Sequence, residues 1–185
     1  MPKLALFGRP GAGKTTLSGL LTVELAEAGA DARILKVGAP LYELQAVIYA
    51  VAGRPLPDGR VQDGQLLNAL GLHVRRINPG ALTEAFGLRV RQVERDTPRA
   101  VVLCDDMRAA DVDAVTALGF RLVEVTAPDP VRLERKGGRG DLSAGDDQHS
   151  TEAAVDAVPW LRVDNSGSLD DLRAQAARII REVLR

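Results

Sequence analysis

The chain has 185 residues, 45% of them apolar and 26% charged, the balance of an ordinary globular domain long enough to bury its own core. A formal net charge of −1 gives no global field toward nucleic acid or an anionic membrane, and aromatics at 3% leave few platforms for stacking bases. One cysteine, Cys104, excludes an internal disulfide, and no apolar run approaches the roughly 20 residues of a membrane span; with no leader-like start, a reduced, cytoplasmic setting is expected.

Short apolar runs then alternate with helical patterns, the signature of an α/β protein on a parallel sheet. Residues 3–7 form the first expected strand and run into a glycine loop. A helix is expected over 14–28, with Leu17, Leu20, Leu21 and Leu25 on one stripe and Gly29 as its stop. Further strands are expected at 32–37, 100–104, 121–125 and 160–163, which makes a five-stranded sheet. The last helix begins near Ser168, with Asp171 at capping-box spacing and an apolar face of Leu172, Ala176, Ile179, Ile180 and Leu184. Two stretches interrupt the alternation. Residues 38–97 read as mostly helical, with a Gly/Pro-rich break at 53–59. Residues 132–148 are rich in Arg, Gly and Asp with little regular pattern, and loops of that length in a compact domain are functional or disordered.

The glycine loop Gly8-Arg9-Pro10-Gly11-Ala12-Gly13-Lys14-Thr15 matches G-x-x-x-x-G-K-[ST]. Its glycines allow a tight turn whose N–H groups point inward at phosphate oxygens, and the helix opening at Lys14 adds the positive end of its dipole. Lys14 is expected to reach the β- and γ-phosphates of ATP, and the Thr15 hydroxyl to hold Mg²⁺, with Thr16 beside it. A chance match in a chain this long has a probability of roughly 1% or less, and the strand-loop-helix context lowers it further.

Phosphate-loop proteins also use an acidic residue at the end of a neighbouring strand to assist Mg²⁺. Asp105 and Asp106, after the apolar run 100–104, are the candidates; adjacent side chains point to opposite faces, so one of them is expected to face the phosphates. The alternative makes one Asp the N-cap of the next helix. Arg108 lies within reach of an anionic substrate or on a solvated helix surface. Asp111 and Asp113 read as a solvated face, and Tyr42 and Tyr49 read as packing or as acceptor contacts. His73 and His149 have no partners at metal-ligand spacing, which argues against zinc.

On these motifs the chain resembles the nucleoside monophosphate kinase group, and within it the deoxynucleoside monophosphate kinases of phage and bacterial type. Asp105-Asp106-Met107-Arg108 resembles that family's strand ending in Asp-Val-Arg. Residues 36–41 (Lys-Val-Gly-Ala-Pro-Leu) are similar to its Phe-Ala-Asp-Pro-Leu stretch, with Ala39 where the family has an acidic residue. Residues 66–71 and then Arg75-Arg76-Ile77-Asn78-Pro79 resemble its Leu-rich helix and phosphate-reaching arginine, Arg76 matching slightly better than Arg75. Pro128-Asp129-Pro130 with Arg132, Arg135 and Arg139 resembles the start of a lid, and His149-Ser150-Thr151-Glu152 its far end. Residues 165–169, opening with Asn165 and including Gly167 and Ser168, are similar to the loop that wraps the adenine of ATP.

The resemblance implies a P-loop three-layer α/β/α fold with core 1–37, 98–130 and 158–185, a monophosphate-binding insertion at 38–97 and a lid at 131–157. It implies a kinase that moves the γ-phosphoryl group of Mg²⁺-ATP to a ribo- or deoxynucleoside monophosphate with a standard or modified base. Lys14, Asp106, Arg108, Arg135 and Arg139 would serve the transfer. Gly8, Gly11, Ala12, Gly13, Lys14, Thr15, Thr16, Arg132, Asn165, Gly167 and Ser168 would hold ATP. Lys36, Tyr42, Arg75, Arg76, Asp106 and Arg108 would hold the acceptor, and Thr15, Asp105 and Asp106 the metal. Nucleic-acid and membrane partners are not expected, and monomer and homodimer stay open. The rival acceptor is another small molecule such as dephospho-coenzyme A; the rival class is a nucleotide-dependent regulatory ATPase with a protein partner.

Overall fold

The computed structural model describes residues 1–57, 61–137, 142–143 and 155–185. Its frame is a five-stranded parallel sheet in the order β2-β3-β1-β4-β5. The strands are β1 (Lys3–Phe7), β2 (Ala32–Ile34), β3 (Val101–Cys104), β4 (Arg121–Thr126) and β5 (Leu161–Asp164). Helices α1 (Lys14–Glu27), α2 (Ala39–Val51), α3 (Gly64–Ile77), α4 (Ala81–Asp96), α5 (Val112–Ala117), α6 (Asp129–Gly137) and α7 (Leu169–Val183) cover it.

The period of two along each strand sorts side chains between two cores. Leu4, Leu6, Val101, Leu103, Val123 and Val125 face α1 and α7, packing on Leu17, Leu21, Leu25, Leu172, Ala176 and Ile179. Ala5, Phe7, Val102, Cys104 and Leu122 face the other side, against Leu41, Leu82, Phe86, Val90 and Val115. Both faces of the sheet are covered, which is why the strands read as continuous apolar runs instead of alternating ones. Phe86 of α4 and Phe120 before β4 join the second core with ring centroids 5.5 Å apart.

Two expectations need correction. β2 stops at Ile34 instead of residue 37: Leu35 N–H still reaches Leu103 O at 2.8 Å, but the next N–H groups turn to a side chain on the β3 exit. Residues 132–137, read as the start of an unpatterned stretch, belong to α6, which opens at Asp129. The break at 53–59 falls between α2 and α3, and residues 58–60 lie outside the described part. The capping box of α7 forms as its spacing requires: Ser168 Oγ accepts Asp171 N–H at 3.1 Å, and Asp171 Oδ2 accepts Ser168 N–H at 2.9 Å.

With β1 central and its crossovers leaving to both sides, the C-terminal ends of β1, β3 and β4 meet at the topological switch point. Ligands of open α/β sheets bind there. No described helix is long and apolar enough to cross a membrane.

Candidate functional site

The glycine loop leaves β1 at that switch point. Gly8, Gly11 and Gly13 all have positive φ (142°, 80° and 100°), conformations that side chains with a Cβ adopt at a cost. Each also packs where a Cβ would strike something: Val125 O at Gly8, Arg132 O at Gly11 and Asn165 Nδ2 at Gly13. The N-cap of α1 is Gly13, which has no side chain to cap the first turn, and that turn carries no acidic residue. The positive end of α1 therefore faces the loop undiluted. Lys14 Nζ lies across the loop, donating to Gly8 O at 2.7 Å and Arg9 O at 3.3 Å. Thr15 and Thr16 are exposed at the start of the helix.

Two parts of the chain brace this loop, the segment after β5 and α6. Asn165, just past β5, is buried and donates from Nδ2 to Ala12 O at 2.8 Å. Arg132 on α6 donates from Nη1 to Pro10 O at 2.7 Å, while its Nη2 and Nε bind Asp129 Oδ1 at 2.8 and 3.2 Å. Arg132 is 7% exposed, so in this conformation it clamps the loop and does not project as a lid arginine would. Asp129 is held below its usual range by Arg132's hydrogen bonds and charge. Arg135, one position short of a turn further along α6, donates to Asn165 O at 3.2 Å, and so closes the circuit between α6 and the loop after β5. Arg139, Gly138, Gly140 and the run 149–152 lie outside the described residues.

At the β3 exit the two aspartates separate. Asp106 shares the side of Cys104, whose thiol is 3.5 Å from Asp106 Oδ1, and its carboxylate accepts Val37 N–H at 2.8 Å and Gly38 N–H at 2.9 Å. Gly38 is the N-cap of α2, so Asp106 caps the turn into α2; neither aspartate is the N-cap of the short helical turn 109–111 that follows, a place taken by Arg108. Burial raises the Asp106 carboxyl above its ordinary range, with the two N–H donors opposing that shift. Asp105 is buried and no hydrogen-bond donor reaches its Oδ1. Lys36 Nζ approaches that oxygen to 3.4 Å as an ion pair without hydrogen-bond alignment. Burial works against the Lys36 ammonium, but Asp105, Tyr42 and Asp106 outweigh it and hold its pKa above the usual value. The same ammonium lies 5.6 Å from the Tyr42 ring centroid. Tyr42 is itself pushed up, first by burial and then by Asp106, against the lowering charges of Lys36 and Arg108. Lys36, Tyr42, Arg108 and the two aspartates thus form one electrostatic cluster.

Of the two arginines ending α3, Arg76 is exposed, whereas Arg75 donates from Nη2 to Asp111 Oδ1 at 2.9 Å. Asp111 was expected on a solvated face and is instead 1% exposed, because its other oxygen accepts Arg108 N–H at 3.0 Å. The signal was present as the i, i+3 spacing of Arg108 and Asp111. Tyr49 does not pack as a core ring: its hydroxyl donates to Asp63 Oδ2 at 2.7 Å. Asp63, the N-cap of α3, also accepts from Leu66 N–H at 3.1 Å and from Ser143 Oγ at 2.5 Å, and buried Gln45 accepts its N–H at 2.8 Å. Ser143 and Leu142 dock here through Gly64 N–H to Ser143 O and Leu142 N–H to Gln62 O. Of these partners of Asp63 only Leu66, at N-cap spacing, follows a local pattern. Trp160 is half-exposed with the Arg121 guanidinium 5.0 Å over its ring.

Comparison with known proteins gives the fold. No family model matches the chain, and no curated protein sequence does. Solved structures match along their whole length. The APS kinase CysC of Mycobacterium tuberculosis in complex with AMPPNP and APS is 17% identical with a TM-score of 0.59, covering 100% of this chain and 98% of that one. A sugar kinase from Janibacter sp. HTCC2649 is 14% identical with a TM-score of 0.56, covering 100% and 94%. The Thermus thermophilus protein TT1252 is 20% identical with a TM-score of 0.51, covering 98% and 97%. Similarity at these identities is similarity of fold, an α/β architecture of the kind P-loop kinases have.

Proposed function

We propose that this chain is a Mg²⁺-ATP-dependent phosphotransferase whose acceptor is a nucleoside or deoxynucleoside monophosphate. The observation that carries the reading is the placing of two anion-binding provisions at one edge of the sheet. The open N-terminus of α1 with Lys14 lies on one side, and the cations Lys36, Arg75 and Arg108 gather around Tyr42 and the β3 exit on the other. Lys36 is already paired with Asp105 and Arg75 with Asp111, and a phosphate monoester suits the donors that remain, arginine pairing with its oxygens in a planar fork. That two of the structures with this fold are kinases, one of them in complex with AMPPNP and APS, supports the phosphotransferase part of the reading.

The buried Oδ1 of Asp105, met by the Lys36 ammonium at 3.4 Å without hydrogen-bond alignment, has the chemistry to hold a hydrated divalent cation in place of that ion pair, as does the Thr15 hydroxyl at the head of α1. Among the described residues no group of three His, Cys, Asp or Glu could hold a metal. When bound, Mg²⁺ supplies charge neutralisation across the β- and γ-phosphates. The remaining work falls to the chain. Loop N–H groups and Lys14 orient the donor, Arg108, Arg135 and Arg139 neutralise the charge spreading over the transferred group, and Asp106 fixes the turn that presents Lys36. Asn165, Gly167 and Ser168 frame the adenine, and α6 with the residues after it limits water as a competing acceptor.

A hydroxyl acceptor is the second reading. The adjacent carboxylates favour it, since Asp106, raised by burial, could take a proton from an attacking alcohol. The test is ADP release from Mg²⁺-ATP with a panel of ribo- and deoxynucleoside monophosphates, plus dephospho-coenzyme A and simple sugars. Acceptor-dependent turnover confined to monophosphates is expected. ATP binding with no acceptor raising turnover would overturn the kinase reading in favour of a regulatory ATPase.

A further inference from the structure

We propose that Asp111 is a positioning residue for the acceptor's phosphate, presenting Arg75 and the main chain of Arg108 together; this rests on the monophosphate reading of the site. The geometry is specific. Asp111 is 1% exposed and uses both oxygens, Oδ1 for Arg75 Nη2 at 2.9 Å and Oδ2 for Arg108 N–H at 3.0 Å. Arg75 ends α3, in the helical stretch between β2 and β3, while Arg108 and Asp111 belong to the exit of β3. One carboxylate therefore ties the far end of α3 to the strand end that carries Asp105 and Asp106. Arg75 Nη1 is turned back along its own helix, 3.4 Å from where a Cβ on Gly71 would stand, an ordinary contact distance. Arg76, about 100° further round the helix, is exposed.

A buried ion pair is a poor source of stability, because desolvation cancels most of the attraction and a packed apolar pair does as well or better. What such a pair does provide is direction. A guanidinium held at Nη2 by a buried carboxylate has one orientation, and its remaining donors are fixed for an incoming phosphate before it binds. Less side-chain freedom is then lost on binding. Arg75 keeps 18% of its side chain exposed, enough to meet a ligand while its anchor stays dry.

The test uses Asp111→Asn, Arg75→Gln and the double variant. Binding of dAMP, dCMP, dGMP and dTMP is followed by calorimetry with a nonhydrolysable ATP analogue present, and initial rates are taken with each of the four that the unaltered chain phosphorylates. Either single change is expected to raise the acceptor Kd and KM by about tenfold or more, with the ATP KM moving less than about twofold. The double variant is expected to be no worse than the weaker single one, because the two residues act as a unit. Asp111→Asn that binds the monophosphates as the unaltered chain does would overturn the proposal. So would an equal fall in kcat for every substrate with the acceptor Kd preserved, which would mark Asp111 as structural only. Where Asp111→Asn does not fold, Arg75→Gln decides alone, and undiminished acceptor binding in it would overturn the proposal. An unaltered chain that binds none of the four and none of AMP, CMP, GMP and UMP overturns it too. An unaltered chain that binds them but releases no ADP removes the kinase reading, and the positioning proposal is then judged on Kd.

Discussion

At Gly13 two independent constraints coincide: a φ of 100° and an Asn165 amide where a Cβ would be. Gly19, in the middle of α1, has neither, with no atom within 4 Å of its added Cβ. Gly13→Ala should therefore destabilise the chain and weaken ATP binding, whereas Gly19→Ala should stabilise it by about 0.5–1 kcal/mol through helix propensity. Thermal denaturation of the two variants side by side checks this, and equal effects would contradict it. Lys14→Ala should reduce turnover by roughly 10²–10³-fold in a folded protein, since it removes one preorganised charge from the transferring group. Turnover close to that of the unaltered chain would remove Lys14 from the transfer step. The turn of the loop was legible because its left-handed positions, Gly8, Gly11 and Gly13, call for glycine. The division of labour between Asp105 and Asp106 was not. Strand parity puts them on opposite sides, but which oxygen meets Val37 and Gly38 N–H depends on where β2 ends. Asp111 was misread for a similar reason: a short acidic side chain on a helical turn looks solvated until its partner, 36 residues earlier, is known.

Among elements, the end of α3 nearest Ser143 shows how much a helix cap can gather. Asp63 accepts from Leu66 N–H, Tyr49 Oη and Ser143 Oγ, and Gln65 N–H reaches the same serine at 3.0 Å. Burial alone would raise this carboxyl, but the bonds from Ser143, Tyr49 and the backbone outweigh it and leave its pKa below the ordinary 3.8. A depressed carboxyl stabilises the folded state fully above its unfolded value, and the contribution disappears as pH falls through the folded one. Hydrogen-exchange protection factors at Gln65 and Leu66 should therefore hold at pH 6 and fall below about pH 4. Asp63→Asn should keep the cap, since asparagine caps as well as aspartate, while removing that acid-dependent loss. Identical acid sensitivity in both proteins would place the titrating group elsewhere. Periodicity marked the stretch as helical, and the sequence carried the cap residue, but Gln45 and Ser143 meet it from 18 residues before and 80 after. No local pattern encodes such distant partners.

For the molecule as a whole, the phosphate loop is where separate parts of the chain converge: β1 and α1 form it, α6 clamps it through Arg132, and the loop after β5 holds it through Asn165. The alternation of apolar runs made the sheet and both its cores legible, because burial on two faces imposes continuous strands. The α6 clamp was hidden, since a charged nine-residue helix has few apolar positions by which to announce itself. ATP bound at this convergence should stabilise the entire fold and not the loop alone. A ligand at 100 times its Kd adds about 2.7 kcal/mol, which in a domain of this size raises Tm by roughly 5–10 °C. Arg132→Met should shrink that rise more than Arg178→Met, a change on α7, because it frees Pro10 O from α6 and leaves Asp129 with Arg9 alone. If ATP lifts Tm equally in both variants, the clamp contributes to folding but not to holding the nucleotide. If the rise is lost with Arg132→Met while the ligand-free Tm barely moves, the energy of the Arg132–Asp129–Pro10 contact is expressed mainly in the bound state, and α6 belongs to the ATP site.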